Sequence, residues 1–139
     1  MTQGFVYALS NPYMPNVYKI GMTERSPFKR ADELSNSTSV PCSFQVMMFI
    51  AVDNMEEVES DAHQMMVNER IATNREFFHC QAREIYWALS SFDTQAKWMD
   101  PDFEHLVDVQ EDAFNREQAA LRASIQVGPQ SNVVSMLVD

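Results

Sequence analysis

Apolar and polar positions alternate in two short runs near the start of the chain. Residues 4–9 (GFVYAL) and 17–22 (VYKIGM) each place aromatic or β-branched side chains at every second position, the period of a half-buried strand. Between them, residues 11–16 (NPYMPN) hold two prolines and two asparagines, which favour a turn and interrupt a ladder. The pattern predicts a β-hairpin with a long loop. Period 3.6 follows: Ser26 is an N-cap candidate, Pro27 suits the first turn, and Phe28, Ala31 and Leu34 share a face. Residues 35–43 (SNSTSVPCS) end that helix. The most apolar run, residues 44–52 (FQVMMFIAV), reads as a third, central strand.

Helical spacing then predominates. Asp53 or Asn54 caps a predicted helix over about residues 55–71, with Met55, Val58, Ala62, Met65 and Met66 in one stripe. Glu59, His63 and Arg70 fall together on its flank, where a polar side chain is part-buried and still reaches a ligand. Residues 72–80 read as a loop leading to a short apolar element, and residues 81–92 as a third helix burying Ile85, Leu89 and Phe92. Residues 98–102 (WMDPD) break the pattern. A longer acidic helix over residues 102–126 carries Phe103, Leu106, Val107, Phe114, Leu121 and Ile125, a stripe suited to packing on the domain or on a second copy in a homodimer. Residues 128–129 read as a frayed end and 133–138 as a short apolar tail. The expected fold is α/β (α+β): a small three-stranded antiparallel sheet flanked by helices, with a C-terminal helical extension. The domains divide as residues 1–92 and 93–139.

Net charge changes this picture. The 139 residues sum to −10, but residues 1–52 hold four Lys/Arg against three Asp/Glu, a net of +1, and residues 53–139 carry −11. An acidic total opposes nucleic-acid binding, in which phosphate contacts dominate affinity. The one basic cluster, Lys19, Arg25, Lys29 and Arg30, sits beside the hairpin and away from the acid. No apolar run is long enough to span a membrane, the start lacks the basic and apolar segments of a signal peptide, and two cysteines make no disulfide framework, so a cytoplasmic chain is expected. Cys42, His79 and Cys80 lack zinc-site spacing.

In order, these features resemble the GIY-YIG nuclease superfamily, in its phage-associated branch. Phe5-Val6-Tyr7 stands for the first triplet and Tyr18-Lys19-Ile20-Gly21 for the second. Arg30, Pro41, Glu59 with His63, and the Arg75-Glu76-Phe77-Phe78 box follow at fitting spacing over residues 4–80. The resemblance implies a metal-dependent endonuclease. Tyr7 acts on the nucleophile, Arg30 neutralises phosphate charge, and Glu59 holds Mg²⁺ or Mn²⁺, which keeps several waters and borrows substrate oxygens. Tyr18, Arg25, Lys29 and His63 are candidate substrate contacts, and DNA is the favoured substrate.

Two positions depart from the superfamily pattern. Lys19 precedes Ile-Gly where tyrosine is usual, and Leu34 stands four residues after the arginine where a polar residue is frequent. Strand alternation turns Lys19 to the side of Tyr7 and Tyr18 to the core. Lys19 is then expected to lower the Tyr7 pKa and steady the phosphate, the alternatives being a bulge that brings Tyr18 round to the site or a Lys19 that makes only a surface phosphate contact. Two other readings stay open: a module that binds nucleic acid or protein without turnover, and an interaction protein whose acidic C-terminal helix mimics nucleic acid.

Overall fold

The computed structural model describes residues 2–36, 43–71 and 74–127, except the side chains of residues 74, 75, 126 and 127. The expectations for Pro41, Cys42, the Arg75 side chain and residues 128–139 lie outside the described residues. The hairpin forms as β1 (Gly4–Ser10) and β2 (Val17–Thr23), paired antiparallel from Phe5↔Thr23 to Ser10↔Tyr18. Its loop is held by an Asn11 turn, with Tyr13 N donating to Asn11 Oδ1 at 2.9 Å and Met14 N to Asn11 O at 2.9 Å. Asn16 closes it at φ 62°, the left-handed region that asparagine tolerates.

Helix α1 (Pro27–Asn36) starts where Ser26 Oγ accepts from Phe28 N at 3.2 Å. Strand β3 (Gln45–Val52) pairs with β1, with a register shift between Ala8 and Leu9. Helix α2 (Met55–Met65) ends well short of residue 71. Val67 and Asn68 are weak helix formers; a 3₁₀ turn (Val67–Glu69) leads instead into β4 (Arg70–Ile71). Strand β5 (Asn74–His79) follows, then α3 (Ala82–Ser90), β6 (Ala96–Met99) and α4 (Pro101–Val127).

Among the described residues the sheet has six strands, all paired antiparallel, in the order β4-β5-β2-β1-β3-β6. This corrects the three strands expected. The three additional strands lie in segments that read as loop, helix end or pattern break, because each is short and the pairing that makes it a strand comes from a distant segment. Arg70–Ile71 pairs only with β5, β5 also pairs with β2, and Ala96–Met99 pairs with β3.

The sheet divides two clusters. On one face Val6, Ala8, Tyr18, Ile20, Met48 and Ile50 pack with residues of α2 and α3 and with Phe103 and Val107 of α4. On the other, Tyr7, Leu9 and Val46 pack against Ala31 of α1, with Phe49 and Trp98 partly buried beside them. Helix α4 thus covers the face opposite Tyr7. Its distal residues Leu121 and Ile125 are exposed.

Candidate functional site

The register fixes the centre of the site. Tyr7 lies directly across from Gly21 on β2 and Phe49 on β3. Its phenol fills the space over Gly21: a Cβ there would stand 2.5 Å from Tyr7 Oη and 2.7 Å from Cζ. Gly21 is required by that close approach and not by its backbone angle, since φ is not positive.

The edge of β2 explains how α2 reaches the same place. Strand β5 pairs with Val17, Tyr18 and Lys19 only, so from Ile20 onward this edge of β2 has no strand partner among the described residues. His63 on α2 takes the Ile20 carbonyl, with Nε2 at 2.8 Å. A carbonyl only accepts, so Nε2 carries the hydrogen. One helical turn before His63, Glu59 lies on the same helix face, its Oε2 3.9 Å from His63 Nε2. Lys19 is 8% exposed and ion-paired to Glu76 of β5, with Nζ 5.7 Å from the Phe77 ring centre. A buried ammonium requires such a partner.

The electrostatics join these groups. Burial pushes the Tyr7 phenol above its ordinary value of 10.0. A side-chain hydrogen bond and the charge of Arg30 oppose the rise, while Glu76 and Glu59 add to it. Burial likewise raises the Glu59 carboxyl; His63 pulls it down, Glu76 pushes it up, and Lys19 pulls it down. Tyr7, Arg30, Glu59, Glu76, Lys19 and His63 therefore form one interacting cluster, drawn from β1, α1, α2, β5 and β2. At neutral pH Tyr7 is a protonated phenol, a donor of a hydrogen bond.

The expectation that Lys19 lowers the Tyr7 pKa is corrected on two counts. Lys19 stands across from Leu9, which makes it a diagonal neighbour of Tyr7. The cation acting on the phenol is Arg30, and the net direction is upward.

Tyr18 lies on the opposite face, 6% exposed, its ring edge-on to Phe103 at 5.9 Å; burial pushes its phenol up to about 12. Arg25 makes a two-pronged pair with Glu33 at 2.8 and 2.9 Å, and Arg30 reaches the same carboxylate at 3.4 Å. Lys29 is exposed beside them. Arg70, predicted on the flank of α2, instead belongs to β4, where Nη2 donates to His63 O at 3.5 Å and the guanidinium lies over Phe78. Cys80 is buried, its thiol pushed up to about 12 by burial, which makes it inert as a ligand or nucleophile.

Glu33 and the pairing role of Glu76 escaped the sequence reading. Glu33 was findable, three residues after Arg30 on one helix face. Glu76 meets Lys19 only through the β2–β5 pairing. Among the described residues, no three His, Cys, Asp or Glu side chains gather closely enough to cage a metal ion, and no helix is long and apolar enough to cross a membrane.

No curated protein and no solved structure matches the chain. A family model does, the T5orf172 domain, over residues 4–93. This overturns the assignment to the GIY-YIG superfamily, because the matching family is a distinct one. The features behind that resemblance are paired Gly-aromatic strands, a helix arginine and a Glu-xxx-His helix. They are short, and the chain departs from the superfamily at Lys19 and Leu34. The T5orf172 domain is a phage-associated domain often found in nuclease-like proteins. The match spans more than half of the chain, and the protein belongs to the T5orf172 domain family.

Proposed function

We propose that the protein is a metal-dependent nuclease that hydrolyses phosphodiester bonds, with DNA as the favoured substrate. The observation that carries the reading is the geometry at β2, which faces Tyr7 through Gly21 and draws in Glu59, beside His63 on the Ile20 carbonyl, and Glu76, paired to Lys19; the phenol feels both carboxylates and the Arg30 guanidinium. Phosphoryl transfer needs little more than these: a group that orients the attacking water, a cation against developing charge, and carboxylates to take a proton or hold a metal.

In this reading the Tyr7 phenol, protonated at neutral pH, donates a hydrogen bond to the attacking water or to a phosphate oxygen. Arg30 faces the phosphate and offsets its growing negative charge. Lys19 keeps Glu76 oriented, and His63 holds α2, and with it Glu59, against the edge of β2. Glu59 and Glu76 suit Mg²⁺ or Mn²⁺, ions that retain waters and take substrate oxygens alongside one or two carboxylates. Such an ion supplies Lewis-acid polarisation of the phosphate.

A second reading, a module that binds nucleic acid without turnover, is favoured by the pairing of Arg30 with Glu33, which leaves the one cation at Tyr7 with less charge to set against a transition state. A cleavage panel of single- and double-stranded DNA and RNA decides between them. The nuclease reading expects cleavage with Mg²⁺ or Mn²⁺, lost in chelator and in Tyr7→Phe and Glu59→Gln. Binding that is unchanged by chelator, with no cleavage by wild type, supports the second reading.

A further inference from the structure

The geometry points to a stacking platform beside Tyr7 that takes unpaired nucleobases, so that the strand bound at the site is one whose bases are out of the duplex. This rests on the nucleic-acid reading above and names its substrate class. Phe49 is the residue directly across from Tyr7 on β3, and Trp98 is directly across from Phe49 on β6. Their rings stack at 5.6 Å and 18°. Phe28, in the first turn of α1, stands edge-on to both, 6.0 Å from Phe49 and 5.0 Å from Trp98. Phe5 meets Phe49 edge-on at 5.4 Å.

A cluster that served only to pack α1 on the sheet would bury its rings. Phe28 is instead 47% exposed, and Phe5, Phe49 and Trp98 are each only part-buried. The exposed aromatic surface adjoins cations: Lys29 follows Phe28 and is exposed, and Arg30 is at Tyr7. Phosphates fit the cations and bases the rings, the combination by which single strands are held. The lateral reach also suits a strand. Two strand spacings separate β1 from β6, about 10 Å, the rise of about three stacked nucleotides. Paired bases in a duplex have their faces covered by neighbours and cannot use such rings.

The test is binding in chelator, so that no turnover intervenes, with the full chain carrying Trp87→Phe to leave Trp98 as the sole tryptophan. The probes are a short oligothymidylate, an abasic oligomer of equal length, and a blunt hairpin duplex. The platform expects oligothymidylate to bind most tightly and to quench Trp98 fluorescence. Phe28→Leu, which keeps apolar cover on Phe49 and Trp98 but removes the ring, should weaken oligothymidylate binding about 5- to 100-fold and leave abasic binding unchanged. Equal affinity for the abasic and thymidylate strands, or tighter binding of the duplex, overturns the platform while leaving nucleic acid as the ligand. No binding of any probe at low salt, either in chelator or with Ca²⁺ in place of Mg²⁺, overturns the parent reading with it.

Discussion

Gly21 and Tyr7 show how far one residue's identity reaches. The phenol is 2% exposed and fills the space where a Gly21 side chain would go. Gly21→Ala should therefore displace a ring that has nowhere to move, at a cost of about 1–3 kcal/mol. The expected result is a lowered urea midpoint together with loss of cleavage, and both are measurable on one preparation. An unchanged midpoint would show that the ring lies elsewhere.

Glu59 makes the opposite prediction. Its carboxyl is raised above 4.5, first by burial and further by Glu76. A group with a raised folded value stabilises the fold below its unfolded value, and that contribution is lost as pH rises through the folded value. At pH 7 the ionised Glu59 therefore opposes folding. Glu59→Gln should be more stable than wild type at pH 7, with the gap closing as pH falls through the raised folded value and gone below about 4.5. Urea midpoints at both pH values measure it, and a functional carboxylate held against stability is the expected reason.

At the scale of elements, the meeting of α2 with β2 decides the site. Strand β5 stops pairing after Lys19, and His63 takes the next carbonyl. His63→Ala leaves that buried acceptor unmet, at a cost of about 1–3 kcal/mol. Faster amide exchange should be confined to α2 and the second half of β2. His63→Gln keeps a donor at similar reach and should recover most of the protection. Equal exchange in wild type and His63→Ala would remove the tether.

On the scale of the whole molecule, the −10 charge is less of an obstacle than its size suggests. Helix α4 packs on the face opposite Tyr7, and exposed charges beyond about 8 Å are largely screened at physiological salt. Neutralising Glu104, Asp108 and Asp112 to amides should change affinity for oligothymidylate by less than about threefold at that salt. Glu33→Gln should act far more strongly, because Arg25 and Arg30 are both released from it. Tighter binding and a log–log salt slope steeper by about one are expected, read by anisotropy across a salt series.

Several elements could be read directly from the order of residues, and for a local reason. β1, β2, β3, α1 and α4 each carry enough consecutive residues of one period to specify themselves, and Ser26 and Pro27 mark a helix start by their own chemistry. The pairing of Glu59 with His63 was legible because four residues of helix set it. What needed the folded chain was everything made by distant partners. Strands β4, β5 and β6 exist because another strand pairs with them, so short polar or broken runs gave no periodic signal. The sequence placed Lys19 on the side of Tyr7, but only the register showed that it faces Leu9 and pairs with Glu76, and that Arg30 is the cation at the phenol. Periodicity reports which side of an element is apolar; which residues meet across elements is set by register and by where pairing stops, and both are properties of the assembled sheet.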